Sequence, residues 1–425
     1  MPSVVRISAQ GKVKELSETE AAKEGTLTDL DTMLPLIQAL IPLGLHAFAE
    51  VMQAEVAALV GTRYSRTGGQ PGLVRWGRQR GSIFLADQKV PVAVQRVRDH
   101  LHDAEIPLRS YQQLQTPRAA DGGLFRKVLL GLSCRDYRAS AEAVPEAFGL
   151  SASSVSRRFI RASAKQLQAL QERRLAEYDF VALVLDGKSC AADAMVIALG
   201  ITVTGEKVIL GFVQTATENE RVCAAFLREL VERGLDASRG LLCVVDGAKG
   251  LRKAISTVFG AETPVQRCQW HKRANVLAYL PPSQQAPWRR KLQAAYEKPT
   301  YAEAKAALLR CRRELGLLNE SAVRSLDEGL EETLTLHRLG LFRELGISLK
   351  TTNCLESLNS LVAQRVGKVD RWRNSDQKQR WLAAALLDIE PRLRRVKGFR
   401  ALPLLRRALM TTVRSQEDAK AIVAA

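Results

Sequence analysis

Two aspartates stand directly after continuous apolar runs in the middle of the chain. Asp186 follows the run 180–185 and Asp246 follows the run 241–245, and a glycine comes next in both cases. A carboxylate at the end of a buried strand is costly unless it is hydrogen-bonded, paired or bound to a metal ion. Two of them at one sheet edge would repel each other, and Mg²⁺ or Mn²⁺, which prefer oxygen ligands, would relieve that repulsion. The alternative is that both are ordinary Asp-Gly turn residues.

Glu356 is the candidate for a third carboxylate. Asn353, Glu356 and Asn359 are three residues apart, so on a helix they line one polar stripe beside an apolar one. An acid flanked by two amides suits a metal ligand with supporting hydrogen-bond donors. The alternative is a solvent-facing helix glutamate. Glu331 and Glu332 are rivals by position, but they lack the neighbouring amides.

Cys268 and His271 form a CxxH pair after a third short apolar run. A structural zinc site normally needs four ligands, and the chain has no second Cys/His pair close in sequence. A packed cysteine beside a hydrogen-bonded histidine is therefore the favoured interpretation, with zinc as the alternative. The neighbouring run ends at Asp246, so a role beside that aspartate stays open.

The elements that carry these residues follow from the apolar pattern. Three β-rich runs form a meander, and helices then alternate with strands, which predicts a mixed α/β sheet with helices on its faces. The order matches a ribonuclease H-like fold. In chain order the predicted elements are strands 180–185, 195–203 and 208–213, helix 218–233, strand 241–245, helix 251–259, strand 265–268 and helix 271–280.

The segment before this core suggests a helix-turn-helix. A helix 141–148 would end at Gly149, and Ser151 would cap a second helix with Val155, Phe159 and Ile160 inward. The alternative is an ordinary helical hairpin with a solvated basic face. The side chains expected to contact DNA are Arg157, Arg158, Arg161 and Lys165.

The flanks complete the domain prediction. An amphipathic helix 34–59 should be kinked or split by Pro42, a Gly- and Arg-rich loop follows at 62–76, and a short hairpin is expected near 83–94. The predicted regions are a flexible 1–30, a helical and hairpin region 31–110, a helix-turn-helix region 111–175, a first catalytic part 176–282, a helical insertion 283–348, and a last catalytic helix with a basic helical C-terminus 349–425.

Composition points to a polyanionic partner. The 425 residues carry a formal charge of +18, and the 46% hydrophobic content is that of a folded protein. Nucleic acid is the usual partner of such a chain, with a generic basic enzyme as the alternative. Seven scattered cysteines without a CxxC pair favour a reducing compartment, and neither a signal peptide nor a membrane span is predicted.

Several stretches resemble the Mutator-type transposases of bacterial insertion sequences. They are Leu185-Asp186-Gly187, residues 244–251 (VVDGAKGL), 266–272 (QRCQWHK) with 275–277 (NVL), and 352–357 (TNCLES). Their order and spacing resemble the family from about residue 60 to 400. Family members usually carry a basic segment soon after the first aspartate, whereas here Lys188 is followed by Ser-Cys-Ala-Ala.

The resemblance implies a DDE-class transposase on a ribonuclease H-like fold, with Asp186, Asp246 and Glu356 as catalytic metal ligands. Two Mg²⁺ (or Mn²⁺) ions about 3.5–4 Å apart would activate water and stabilise the leaving 3′-oxygen. The freed 3′-OH would then attack target DNA. The implied partners are double-stranded DNA, both terminal inverted repeats and target, and further copies of the chain in a homodimer or larger complex. The implied location is the bacterial cytoplasm, at the nucleoid.

The sequence leaves two alternatives to a DDE transposase. The chain could be a catalytically inactive DNA-binding protein derived from such an enzyme, although a binding module has no reason to retain three costly carboxylates. It could also be a stand-alone ribonuclease H-like nuclease, which the helical insertion and the basic flanks disfavour. Metal-dependent cleavage of element ends would distinguish a transposase from an inactive DNA-binding protein. Strand transfer would distinguish a transposase from a nuclease.

Overall fold

The computed structural model describes residues 4–7, 13–16, 30–64, 69–85, 88–115, 120–140, 148–190, 193–215, 219–369 and 371–424. The chain divides into two compact units. The first comprises residues 1–128 and 132–159, and the second comprises residues 129–131 and 160–425.

The first unit combines one long helix with a β-ribbon. Its strands are β1 (Val4–Ile7), β2 (Val13–Leu16), β3 (Leu73–Leu85), β4 (Gln88–Asp99) and β5 (Ala104–Ile106). β1 pairs with β2, and a separate antiparallel sheet has the order β3-β4-β5. Its helices are α1 (Leu30–Val60), α2 (Arg109–Gln115), α3 (Ala120–Leu129), α4 (Tyr137–Ser140) and the start of α5 (Ala152–Gln171).

The structure changes two expectations for this unit. Helix α1 runs through Pro42 as one element, so the helix is not split there. The predicted loop 62–76 ends earlier, because β3 already begins at Leu73 and pairs with β4 along a long hairpin. A β-bulge between Arg75 and Arg78 interrupts that pairing. The ribbon is therefore much longer than the short hairpin that the sequence pattern indicated.

The core of the first unit lies between α1 and the ribbon. Phe48, Met52 and Val56 of α1 are buried against Ile83 and Val94 of the two strands. The segment Leu43–Val60 is long and apolar enough to cross a membrane by length and composition alone. Three apolar residues of this segment, Phe48, Met52 and Val56, pack in the core of the unit.

Helix α5 confirms the second helix of the predicted helix-turn-helix. Ser151 caps it, since its hydroxyl accepts a hydrogen bond from the Ser154 backbone N–H at 3.3 Å. Val155 and Phe159 are buried as expected, but Ile160 is 45% exposed, so its predicted inward orientation was wrong. The predicted first helix, 141–148, lies outside the described residues except for Phe148.

A five-stranded mixed sheet forms the centre of the second unit. Its strands are β6 (Phe180–Cys190), β7 (Asp193–Thr202), β8 (Lys207–Thr215), β9 (Leu242–Val245) and β10 (Val265–Arg267). The order across the sheet is β10-β9-β6-β7-β8. β6, β7 and β8 form an antiparallel meander, whereas β9 runs parallel to β6 and β10 runs parallel to β9. This element order is the one predicted.

Amphipathic helices cover this sheet. α6 (Glu220–Glu232) buries Phe226 and Leu227, and α7 (Lys249–Phe259) buries Leu251 and Ile255, all in one cluster with residues of the sheet. Their apolar residues recur at helical spacing, so one face of each helix packs on the strands. α8 (Gln269–Leu277) follows β10 directly.

Between Pro282 and Leu349 all the regular elements are helices, as the predicted helical insertion requires. They are α9 (Pro282–Tyr296), α10 (Tyr301–Gly316), α11 (Glu320–Asp327), α12 (Leu330–Thr333), α13 (Thr335–Arg338) and α14 (Phe342–Leu349). Trp288, Leu292, Leu308 and Leu326 belong to a core of their own, which Val276 of α8 joins.

Three further helices complete the second unit: α15 (Asn353–Val366), α16 (Ser375–Ile389) and α17 (Leu402–Ala424). Short 3₁₀ turns at Glu390–Arg392 and Phe399–Ala401 lie between α16 and α17. α16 packs on β8 and α17 packs on β6, so the basic C-terminal region is folded onto the sheet.

Three arginines of this basic region are buried rather than solvent-facing. Arg365 pairs with Asp388 at 3.3 Å, and Arg380 pairs with Asp376 at 2.9 Å. Arg406 donates to the carbonyl oxygen of Gly240 at 2.6 Å and also contacts Asp179 and the Phe180 carbonyl. The charges of these three arginines therefore serve contacts inside the second unit.

We predict that Arg406→Leu lowers the free energy of unfolding by about 3 kcal/mol, because Asp179 and the carbonyls lose their buried partner. Arg407→Leu is the matched control, since Arg407 is the next residue on α17 and is exposed; its effect should stay within about 0.5 kcal/mol. Urea unfolding of both variants measures the difference. Equal stabilities would show that Arg406 is not a structural residue.

Candidate active site

The register of three neighbouring strands places the candidate residues at one sheet edge. In the parallel pairing of β6 with β9 the last pair is Leu185 with Val245, so Asp186 and Asp246 come next on adjacent strands. On the other side of β9, the Cys268 backbone N–H donates to the Val245 carbonyl at 2.7 Å. Parallel pairing alone therefore brings Asp186, Asp246 and Cys268 to one edge.

The two aspartates differ in their surroundings. Asp186 is 6% exposed and is not a strand end, because β6 continues to Cys190 and Asp186 pairs with Ile197 of β7. Asp246 is half-buried and its Oδ1 accepts a hydrogen bond from the Ala248 N–H at 3.0 Å, at the start of α7. The turn interpretation thus fits one oxygen of Asp246, whereas Asp186 lies inside a strand and not in a turn.

Glu356 lies in the first turn of α15, half-buried. The Thr352 hydroxyl lies 3.4 Å from Glu356 Oε1 and 3.7 Å from Cys268 Sγ, so this buried threonine connects the glutamate to the end of β10. The Gln269 N–H also donates to the Lys350 carbonyl at 3.0 Å. Thr352 opens the stretch 352–357 but was given no role from the sequence, although its position four residues before Glu356 is the spacing of helix neighbours.

The two asparagines that flank Glu356 differ in exposure, and the rival glutamates Glu331 and Glu332 have other partners. Asn359 is half-buried, whereas Asn353 is exposed. Glu331 receives a hydrogen bond from the Tyr301 hydroxyl at 2.7 Å, and Glu332 pairs with Arg252 at 2.7 Å. Glu331 is therefore engaged within the helical region and Glu332 is engaged with α7, which leaves Glu356 as the better candidate.

Cys268 is buried at the end of β10, and His271 follows it in the first turn of α8. The interaction with Cys268 is the largest cause that raises the pKa of His271 to about 9; burial opposes it, and the charges of Cys268, Asp186 and Asp246 add to the increase. His271 Nδ1 is buried and has no hydrogen-bond partner among the described residues. Burial raises the pKa of Cys268, but hydrogen bonds from His271 and Thr352 outweigh it and keep that pKa below its usual value. The pair thus lies in the field of both aspartates.

The charge of Asp186 also acts on Cys354 of helix α15. Burial raises the pKa of Cys354 to about 11, and the negative charge of Asp186 adds to this increase. Helix α15 also packs on β6, so neighbouring elements carry Asp186 and Glu356. Among the described residues, however, no group of three or more His, Cys, Asp or Glu side chains is placed to hold a metal ion.

The polar residues around Cys268 attach the helical region to the sheet. Gln266 and Gln269 both donate to the Thr333 carbonyl at 2.9 Å. Lys272, 1% exposed, donates to the Ser325 carbonyl at 2.6 Å, and burial lowers its pKa to about 8. The sequence signal for this role was the concentration of polar residues in a segment that follows an apolar run.

Arg267 belongs to the same attachment and contacts the loop after Asp246. Its guanidinium donates to the Glu328 carbonyl at 3.0 Å. It also occupies the space into which a side chain at Gly247 or Gly329 would project. Both glycines have positive φ, 112° and 68°. The Asp246-Gly247 turn is therefore built around the Arg267 side chain, and only glycine fits there.

The candidate DNA-contacting side chains of α5 are not equivalent. Arg157, Arg161 and Lys165 are exposed and four residues apart, so they line one face of the helix. Arg158 is half-buried, with its guanidinium 5.8 Å from the centre of the Phe84 ring. The structure thus groups three of the four candidates and assigns Arg158 a packing contact.

We predict that Gly247→Ala lowers the free energy of unfolding by about 2 kcal/mol more than Gly260→Ala does, since only the first variant overpacks a neighbour. Gly260 is the matched control because its φ is 99° and no heavy atom lies within 4 Å of a side chain placed there. Denaturant unfolding compares the two variants. Equal losses would mean that Arg267 moves aside without cost.

Comparison with known proteins identifies the family. The family described as "Transposase, Mutator family" matches residues 16–394. The transposase for insertion sequence element IS6120 of Mycolicibacterium smegmatis is 30% identical over 271 residues, 61% of this chain and 80% of that protein. The transposase for insertion sequence element ISRM5 of Rhizobium meliloti is 28% identical over 386 residues, 89% of this chain and 92% of that protein. With the match extending over most of its length, this chain belongs to the Mutator family of transposases.

Proposed function

We propose that this protein is a DDE transposase that cleaves the ends of its insertion sequence and joins them to target DNA, with Asp186, Asp246 and Glu356 as the catalytic carboxylates. The observation that carries the proposal is the register that brings Asp186 and Asp246 to one edge of the central sheet. Family membership supports the DNA-cleaving and DNA-joining activity as a class.

The sheet supports a ribonuclease H-like core. A three-stranded antiparallel meander is followed by two parallel strands that add on the side of β6, in the order β10-β9-β6-β7-β8. The helical region Pro282–Leu349 separates the strands from α15, which carries Glu356. This arrangement is the one that the resemblance to Mutator-type transposases implies for a DDE core with an insertion.

The donor set fits a hard divalent cation. Asp186 and Asp246 offer carboxylate oxygens from adjacent strands, and Asp186 is almost completely buried. Such oxygens are the ligands that Mg²⁺ and Mn²⁺ prefer. The two aspartates would hold the cation, and Glu356 would complete the set. When bound, Mg²⁺ supplies activation of the attacking water and stabilisation of the leaving 3′-oxygen.

The residues of this chain position those carboxylates. Backbone pairing on both sides of Asp186 fixes its strand, and the Ala248 N–H orients Asp246. Thr352 restrains Glu356 relative to Cys268. A site held in this way would serve both steps, because the freed 3′-OH can occupy the place of the attacking water. No covalent enzyme intermediate is then needed.

DNA recognition is assigned to other surfaces of the chain. Arg157, Arg161 and Lys165 of α5 would read the terminal inverted repeats, and the exposed cations of the C-terminal region would contact phosphates. The protein would act in the bacterial cytoplasm at the nucleoid, as a homodimer or larger assembly on DNA. Six of the seven cysteines are free thiols, which is compatible with a reducing compartment: Cys134, Cys223, Cys243, Cys268, Cys311 and Cys354.

We predict that Asp186→Asn, Asp246→Asn and Glu356→Gln each abolish cleavage and strand transfer while specific DNA binding persists. Neutral amides remove the repulsion between neighbouring carboxylates, so without metal the variants should be no less stable than wild type. Oligonucleotide cleavage and joining with Mg²⁺ measure activity, and thermal melting checks folding. Glu331→Gln is the matched control and should remain active.

The outcomes separate the alternatives. Near-normal activity in any one of the three variants would remove that residue from the triad. A wild-type protein that binds element ends but never cleaves them would be a transposase-derived binding protein. Cleavage without joining would indicate a nuclease.

We predict that Arg157→Ala and Arg161→Ala lower the preference for the terminal repeat over random DNA, by about 1–3 kcal/mol for each lost base contact. The two side chains are exposed and one helical turn apart, so both can reach one groove. Competition binding with the two DNAs measures the preference. Arg158→Ala is the comparison, since its side chain packs near Phe84 and should not affect discrimination. Equal losses on both DNAs would indicate phosphate contacts instead.

A further inference from the structure

A concave groove in the first unit is lined by four arginines. It has a volume of about 910 Å³ and lies between α1 and the β3–β4 ribbon. We name it the arginine groove, after Arg63, Arg75, Arg78 and Arg96. One acid, Glu50, also lines it, and that carboxylate lies 3.5 Å from His46. The groove is thus strongly cationic.

Two of the arginines are held in place by protein contacts. Arg75 donates to the Gly61 carbonyl at 2.7 Å and to Gln95 at 3.3 Å. Arg96 forms two hydrogen bonds with Glu105, at 2.9 and 2.7 Å. These bonds fix both guanidinium groups in the groove wall, and no acidic side chain of the described residues pairs with Arg75.

The charges of Arg63 and Arg78 are not neutralised by an acidic side chain of the described residues. Neither has a hydrogen bond or an ion pair with a described residue; Arg63 only lies 5.2 Å from the centre of the exposed Tyr64 ring. Arg78 follows the β-bulge and pairs through its backbone with Gln95. A bulge redirects side chains and increases the local twist, which accounts for the concave wall at this point.

The side chains that line the groove favour a phosphate ligand. Arginine and glutamine side chains donate hydrogen bonds to phosphate oxygens, and Gln53 and Gln95 also line the groove. None of its described lining residues is aromatic, so these residues offer bases no stacking platform of the kind that single-strand binders use. Trp76 of the ribbon is exposed but is not among the lining residues.

From these observations we infer that the arginine groove binds the phosphate backbone of duplex DNA, as a contact surface separate from α5 and from the carboxylate edge. The inference rests on the proposed action on DNA. It gives the β3–β4 ribbon a positioning role, in which sequence-independent phosphate contacts hold the duplex while α5 reads its bases.

The test is the salt dependence of duplex binding by the full chain. Each phosphate contact contributes about −0.9 to the slope of log K against log salt concentration, so the double variant Arg63→Gln/Arg78→Gln should flatten that slope by about two units. Arg80→Gln is the matched control: Arg80 is exposed on the same strand, two residues from Arg78, but does not line the groove. It should leave the slope unchanged. Melting temperatures of all variants confirm folding.

Other outcomes overturn the inference. If the double variant keeps the wild-type slope, or if Arg80→Gln flattens it to the same extent per charge, the groove is not a phosphate site. A loss seen only with single-stranded DNA would assign the groove to a different ligand. The proposed function is judged separately: cleavage by wild type with an unchanged slope in the double variant refutes the groove alone, whereas a flattened slope without any cleavage refutes the enzyme alone.

Discussion

The parallel pairing of β6, β9 and β10 is the constraint on which the candidate site depends. Val245 is paired with Leu185 on one side and with Arg267 on the other. A shift of one residue in either pairing would turn every side chain of the shifted strand to the other face and separate the two aspartates. The buried apolar residues on both faces of these strands fix the register, so the same residues that form the core also position the carboxylates.

The carboxylate edge also depends on how the helical region is attached to the sheet. Gln266, Arg267, Gln269 and Lys272 bond backbone carbonyls of residues 325–333. Buried donors that reach carbonyl oxygens gain strong hydrogen bonds, whereas their loss leaves carbonyls without partners. Arg267 additionally fills the space beside Gly247. The turn after Asp246 and the attachment of the helices are thus one packed structure, and disturbance of either should affect both.

How much the sequence predicts depends on burial. The central sheet could be predicted because buried strands are continuous apolar runs, and its order of strands and helices is as expected. The ribbon could not, because Arg75 to Arg80 of β3 are all exposed and lack the alternation that signals a half-buried strand. Asp186 resembled a strand end because its apolar run stops there. The strand continues because its pairing with β7 is a backbone interaction that no side-chain pattern reveals.

The same reasoning limits what net charge says about DNA binding. The net charge of +18 comes from 63 Lys and Arg against 45 Asp and Glu. Of these cations, Arg365, Arg380 and Arg406 contact carboxylates and carbonyls inside the second unit, and Arg96 pairs with Glu105 in the first. Charge used in this way stabilises the fold and is not available to release counterions from DNA. Exposed arginines that make no ion pair with a described residue, such as Arg63, Arg78 and Arg161, are the ones that the proposed DNA binding would use. Affinity for DNA should then depend on where the cations lie and not on their total number.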